Sequence, residues 1–126
     1  MVKQQSGFTL IELIAVIVIL GILAATAVPK FVDLSDAAET ATARNIAGSI
    51  ESSSALNHAV DIAVEASLTS ETFEVIDDCE DGALLLTGGL PTGYTITATA
   101  VADKATVSCN LVYNSTNYPF NVIGTR

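Results

Sequence analysis

Hydrophobic and polar positions divide this chain into three stretches of different period. From Phe8 to Val28 nearly every residue is apolar, and only Thr9, Glu12, Gly21 and Thr26 interrupt the run. As a helix these residues span about 31 Å, matching the ~30 Å hydrocarbon core of a bilayer. From Ala37 to Ala66 the helical period continues but becomes amphipathic. Ala43, Ile46, Ala47 and Ile50 recur at intervals of three and four, with Arg44, Glu51 and several serines elsewhere on the wheel. One long helix from about Thr9 to about Asn57, extending toward Ala66, accounts for both stretches. Gly21 lowers its propensity, and a kink is expected at Pro29, which removes one backbone bond and crowds the preceding turn.

The third stretch reads as β. Residues 83–87, 94–100, 106–113 and 118–123 are short runs rich in Thr, Val, Leu, Ile and Tyr. Gly88-Gly89, Pro91-Thr92-Gly93, Ala102-Asp103-Lys104 and Asn114-Ser115-Thr116-Asn117 separate them as turn signals. Short successive strands with tight turns favour an antiparallel sheet, and the second half of the long helix is available to cover its apolar face. The fold class is therefore α+β, a long N-terminal helix with a protruding hydrophobic half and a small antiparallel sheet packed on the remainder. No internal repeat or linker is visible.

One carboxylate changes the picture. A charge such as Glu12 costs about 2.5–3.5 kcal/mol or more near the middle of a bilayer and is expected to have a partner. An ordinary secretory signal carries its cleavage site after the apolar region. Here the candidate site, Gly7/Phe8, precedes it, so the apolar run survives cleavage. Lys3 is the single charged side chain in residues 1–7, and the positive-inside tendency places this segment in the cytoplasm and the remainder outside. Cleavage would free an amine on Phe8, four residues before Glu12. On a helix these positions share a face, so amine and carboxylate can neutralise each other within one chain or between copies. A buried carboxylate answered by a cation on another copy acts as a register device.

Gly7-Phe8-Thr9-Leu10-Ile11-Glu12 resembles the prepilin peptidase site of type IV pilins and pseudopilins, and Pro29 falls where their helices carry a proline. Residues 48–57 and 86–94 are similar to mannose-sensitive haemagglutinin pilins. The resemblance implies a pilin-like fold with a leader at 1–7, a transmembrane and filament-core helix at 8–34, and a globular head at 35–126. It implies cleavage between Gly7 and Phe8, N-methylation of Phe8, subunit docking through Glu12 and local unwinding between Gly21 and Pro29. The partners it implies are identical subunits in a helical filament, a prepilin peptidase and an inner-membrane assembly platform. The subunit would reside in the inner membrane and then in an extracellular pilus serving adhesion or motility. The alternative is a pseudopilin of a type II secretion-like system.

The remaining chemistry is sparse. Cys79 and Cys109 are the two cysteines, and a chain that crosses the membrane early places them where a pair forms a disulfide. In the resembled family such a bond ties the C-terminal segment to the sheet, and together with the haemagglutinin-like segment it favours pilin over pseudopilin. With 14 acidic residues against 5 basic ones the net charge is −9, and no basic stripe follows a phosphate backbone, so nucleic acid is not an expected partner. Glu74, Asp77, Asp78, Glu80 and Asp81 could offer oxygen ligands to calcium, with Asp77, Asp78 and Asp81 the candidate set. Their order does not match an EF-hand, and a solvated acidic loop is the preferred reading, with no metal or cofactor expected. His58 is the sole histidine and no nucleophile or phosphate-loop motif accompanies it, so no enzyme activity is expected. Asn114-Ser115-Thr116 fits a glycosylation sequon but reads as a turn. Seven aromatics, with none from Val32 to Thr72, do not form a stacked conducting row along the helix.

Overall fold

A computed structural model describes residues 6–126; the first five, including Lys3 and most of the expected leader, lie outside the described residues. One α-helix, α1, runs Leu10–Glu65 without interruption through Gly21 and Pro29. By compactness the chain divides into two units, one ending at Glu39 and the other running Thr40–Arg126.

In the second unit the buried helical positions are Ala43, Ala47, Ile50, Ser54 and Asp61, spaced by three, four and seven. That periodicity lays one stripe of α1 against the rest of the unit. The core opposite contains Ile76, Cys79, Ile96, Val101, Cys109, Leu111, Tyr118, Phe120 and Val122.

The sheet has three antiparallel strands in the order β1 (Thr95–Ile96), β2 (Thr106–Tyr113) and β3 (Thr116–Ile123). The segment 106–113 forms as the sequence reading expects. Strand β3 begins two residues earlier than expected, because the turn is only Asn114-Ser115. Both residues have positive φ, 46° and 62°, the geometry of a two-residue hairpin whose twist matches its strands. Tyr118, Phe120 and Val122 point into the core, whereas Asn121 and Ile123 direct their N–H groups away from β2. Asn121 donates to Glu51 Oε2 at 3.0 Å and Ile123 to Ser54 Oγ at 2.9 Å. Pro119 occupies the same outward register and has no N–H to place.

Two expected strands are corrected. Residues 83–87 do not form a strand; a 3-10 helix, η1, spans Cys79–Leu85. Its cause is Asp78-x-x-Asp81, a reciprocal cap in which each carboxylate accepts a backbone N–H of the other end of the turn. The cap outweighs the β preference of a run that does not alternate, and Leu84 remains 60 % exposed. Gly82 seats this turn on the core, since a Cβ there would stand 3.0 Å from Ile50 Cγ2. Residues 94–100 form a strand only at Thr95–Ile96. Beyond them Thr99 turns to the η1 cap, donating to Asp78 Oδ1 and accepting from the Cys79 N–H. A backbone already paired there cannot continue along β2.

Candidate functional site

The N-terminal unit presents its chemistry in the open. Residues 6–9 are exposed and precede the helix, so the Gly7–Phe8 peptide bond lies in non-helical chain. A Cβ at Gly7 would meet nothing within 4 Å, so no packing within the chain demands glycine there. Phe8 is 90 % exposed, and the large apolar side chains from Leu10 to Phe31, with Leu34, stand about half exposed or more. Among the described residues this length of apolar helix is exposed, and the hydrophobic effect favours placing it in lipid or against other helices.

Glu12 has a partner that the sequence reading passed over. Its Oε2 accepts the backbone N–H of Thr9 at 2.8 Å and the Thr9 hydroxyl at 2.8 Å, while Thr9 Oγ1 accepts the Glu12 N–H at 3.3 Å. This is a reciprocal cap at the first turn of α1. The signal was present as Thr9-x-x-Glu12 before an apolar run. The carboxylate is thereby held beside the positive end of the helix dipole, in the region where a freed Phe8 amine would lie. Gly21 has open space around it, and the Thr26 hydroxyl donates to the Leu23 carbonyl at 3.0 Å just before Pro29.

Cys79 and Cys109 are joined, with Cα atoms 5.7 Å apart across a sequence separation of 30. The bond ties η1 to the central strand β2. It does not tie the C-terminal segment, which is held by β3 pairing and by side chains of α1. The acidic loop is likewise spent on structure. Asp81 Oδ2 accepts the N–H groups of Asp77 and Asp78 at 3.1 and 2.9 Å, and Asp78 Oδ1 accepts those of Glu80 and Thr99 at 3.0 and 3.2 Å. Among the described residues no group of three His, Cys, Asp or Glu side chains is arranged to hold a metal. Asn114 lies at the hairpin tip, as a turn residue.

His58 is half-buried on α1, one turn before Asp61, with its Nδ1 3.8 Å from Asp61 Oδ2. Asp61 is fully buried, and neither carboxylate oxygen has a hydrogen-bond partner among the described residues.

Residues 2–28 match the prokaryotic N-terminal methylation motif. The chain is 40 % identical over 107 residues, 85 % of its length and 80 % of the relative's, to the type IV narrow pilus major component PilA5 of Thermus thermophilus. It is 55 % identical over 42 residues to the type II secretion system core protein G of Pseudomonas aeruginosa. It is 53 % identical over 49 residues to the fimbrial protein EcpC of Eikenella corrodens. Those two alignments cover 33 % and 38 % of this chain and 30 % and 32 % of the relatives, so the chain aligns with about a third of each. No solved structure matches the chain.

Proposed function

The chain belongs to the type IV pilins, and on that premise we propose how its N-terminal unit is processed and docked. It is a structural subunit of a pilus that assembles with identical subunits into a filament. The family is structural rather than enzymatic. In our reading the exposed Gly7–Phe8 bond is cut by a prepilin peptidase, Phe8 is N-methylated, and Glu12 docks each subunit by exchanging its Thr9 contacts for the new amine of a neighbouring copy. The observation that carries this is Glu12 itself, a carboxylate fixed by Thr9 at the start of an apolar helix that is exposed among the described residues.

Before assembly the apolar helix anchors the subunit in the inner membrane, where an assembly platform receives it. Afterwards the same helix packs against its copies in the filament, with Ala15, Gly21, Ala24 and Ala25 allowing close approach. Gly21 and Pro29 are the places where it yields under extension. The secretion-system reading is less supported, since that likeness covers a third of the chain and the pilus likeness covers 85 %.

The test is an intact mass on protein sheared from the outer cell surface. The expected species begins at N-methylated Phe8 and is two hydrogens light for the disulfide. The same species confined to the inner-membrane fraction would overturn the surface-filament reading, and a species retaining residues 1–7 in the fibre would overturn processing.

A further inference from the structure

The composition of the head restricts where an oxidant can act. The chain has no tryptophan, its single methionine is Met1, and its two cysteines are joined to each other. Thioether, thiol and indole chemistry are therefore closed to an oxidant that reaches the second unit. The phenols of Tyr94, Tyr113 and Tyr118 remain.

Two of these three lie against each other. Thr95 pairs with Val112 and Ile96 with Leu111, so the antiparallel register sets Tyr94 and Tyr113, the residues just outside, opposite one another. Strand alternation puts Tyr94 on the face of Ile96 and Tyr113 on the face of Leu111, which is the buried face of the sheet. The rings are stacked, with centroids 4.4 Å apart and planes 18° from parallel. Both are half-buried at the margin of the core. The Tyr94 N–H donates to the Pro91 carbonyl at 3.2 Å, so a turn fixes that end of the stack. A Cβ at Gly93 would stand 3.4 Å from Tyr113 Cε2, a ring carbon adjacent to the one that carries the hydroxyl, and glycine leaves that carbon clear. Tyr118 is buried, and no ring stacks on it among the described residues.

We propose that Tyr94 and Tyr113 form an oxidative cross-linking site, at which a one-electron oxidant joins the two rings by a carbon–carbon bond and staples β1 to β2. Each phenol gives up one electron to the oxidant and its hydroxyl proton to water, leaving a phenoxyl radical. Part of the unpaired spin of that radical lies on the ring carbons beside the C–O carbon. Two such carbons, one from each ring, form the new bond. The hydrogen on each then moves to its own oxygen and restores the phenol. The net change is the loss of two electrons and two protons from the protein. A haem peroxidase consuming hydrogen peroxide supplies such an oxidant and yields two waters. Face-to-face rings hold the coupling partners together before either is oxidised, so the link within one chain outruns links between chains. The strand that gains the staple is the two-residue β1. The site is independent of the filament reading.

The test oxidises the full-length chain, as sheared fibre and in detergent, with photogenerated tris(bipyridine)ruthenium(III), which accepts one electron per ion. The expected product is a monomer two hydrogens lighter than the disulfide-bonded starting protein. It should show dityrosine fluorescence, and its digest should contain one joined peptide carrying residues 94 and 113. Tyr94→Phe and Tyr113→Phe keep a stacked ring and remove one phenol. Each should lower the yield of this monomer about tenfold or more, and Tyr118→Phe should leave it unchanged. Unfolding in urea before oxidation should abolish the preference for the 94–113 link. Tyrosine consumed without a monomer of the lower mass overturns the proposal. So do links between separate chains, or links through Tyr118, that form as readily as the one within the stack.

Discussion

The carboxylate of Asp61 lies 3.8 Å from His58 Nδ1, inside the second unit, and among the described residues neither of its oxygens has a hydrogen-bond donor. An ionised carboxylate loses its hydration on burial, and a contact of this length returns little of it. Asp61→Asn keeps the shape and removes the charge. It should raise the stability of the head by about 1–2 kcal/mol, because an unpaired charge costs more to bury than a neutral amide of the same shape. Urea unfolding of the detergent-solubilised chain measures this, and an equal loss of stability would show that the charge is favourably held.

Asn57 closes the far end of the fold. Its Nδ2 donates to the Glu74 carbonyl at 2.8 Å and to Thr125 Oγ1 at 3.1 Å, and its Oδ1 accepts the Glu74 N–H at 2.8 Å. Asn57→Ala removes three bonds and leaves their partners to find others. The expected cost is about 2–3 kcal/mol. Hydrogen exchange should quicken first at Glu74, Ile76 and Thr125, and a uniform change across the unit would contradict this local role.

Replacing both cysteines by alanine opens the bridge from η1 to β2. Closing a loop with a separation of 30 should contribute roughly 3–4 kcal/mol through the unfolded chain. A double variant within about 1 kcal/mol of wild type would assign the stability of this region to the Asp78–Asp81 cap instead.

Lys104 supplies a pH dependence. Its hydrogen bond to Glu65 holds its pKa above the ordinary 10.5, so the fold favours the protonated form. The contribution is complete below the unfolded value and is lost as pH rises through the higher folded one. The difference in melting temperature between wild type and Lys104→Gln should be constant well below pH 10.5 and shrink as the pH rises past it. A difference that persists there would point to packing of the lysine stem.

The two roles given to Glu12 separate by mutation. Glu12→Ala should leave the subunit inserted in the membrane and abolish fibres. Thr9→Val removes the cap hydroxyl but spares the carboxylate, costing the helix start about 1 kcal/mol while fibres still form. Normal piliation in Glu12→Ala cells would remove the docking role.

Much of this fold is legible in the sequence because period carries the information. The apolar run, the 43–47–50 stripe and the alternation at 106–113 each follow from side chains that must share a face. What escaped was local polar chemistry. Asp78 and Asp81 looked like a solvated acidic loop, yet their carboxylates cap η1 and draw Thr99 away from β2. Thr9 read as an interruption of the apolar run rather than as a partner for Glu12. In both cases a short side chain competes for backbone N–H groups, and hydropathy cannot register that competition. Asp61 was hidden for the opposite reason, since its burial depends on contacts far along the chain.

The outer side of β3 has a consequence for a protein that spends its life crowded against copies of itself. A free strand edge is a template on which another chain can add a strand, the first step toward cross-β aggregation. Here Pro119 offers no donor, and the donors of Asn121 and Ile123 are taken by Glu51 and Ser54. The opposite edge, β1, is two residues long. Neither margin invites strand addition, so a dense array of heads can form an ordered fibre without sliding into amyloid.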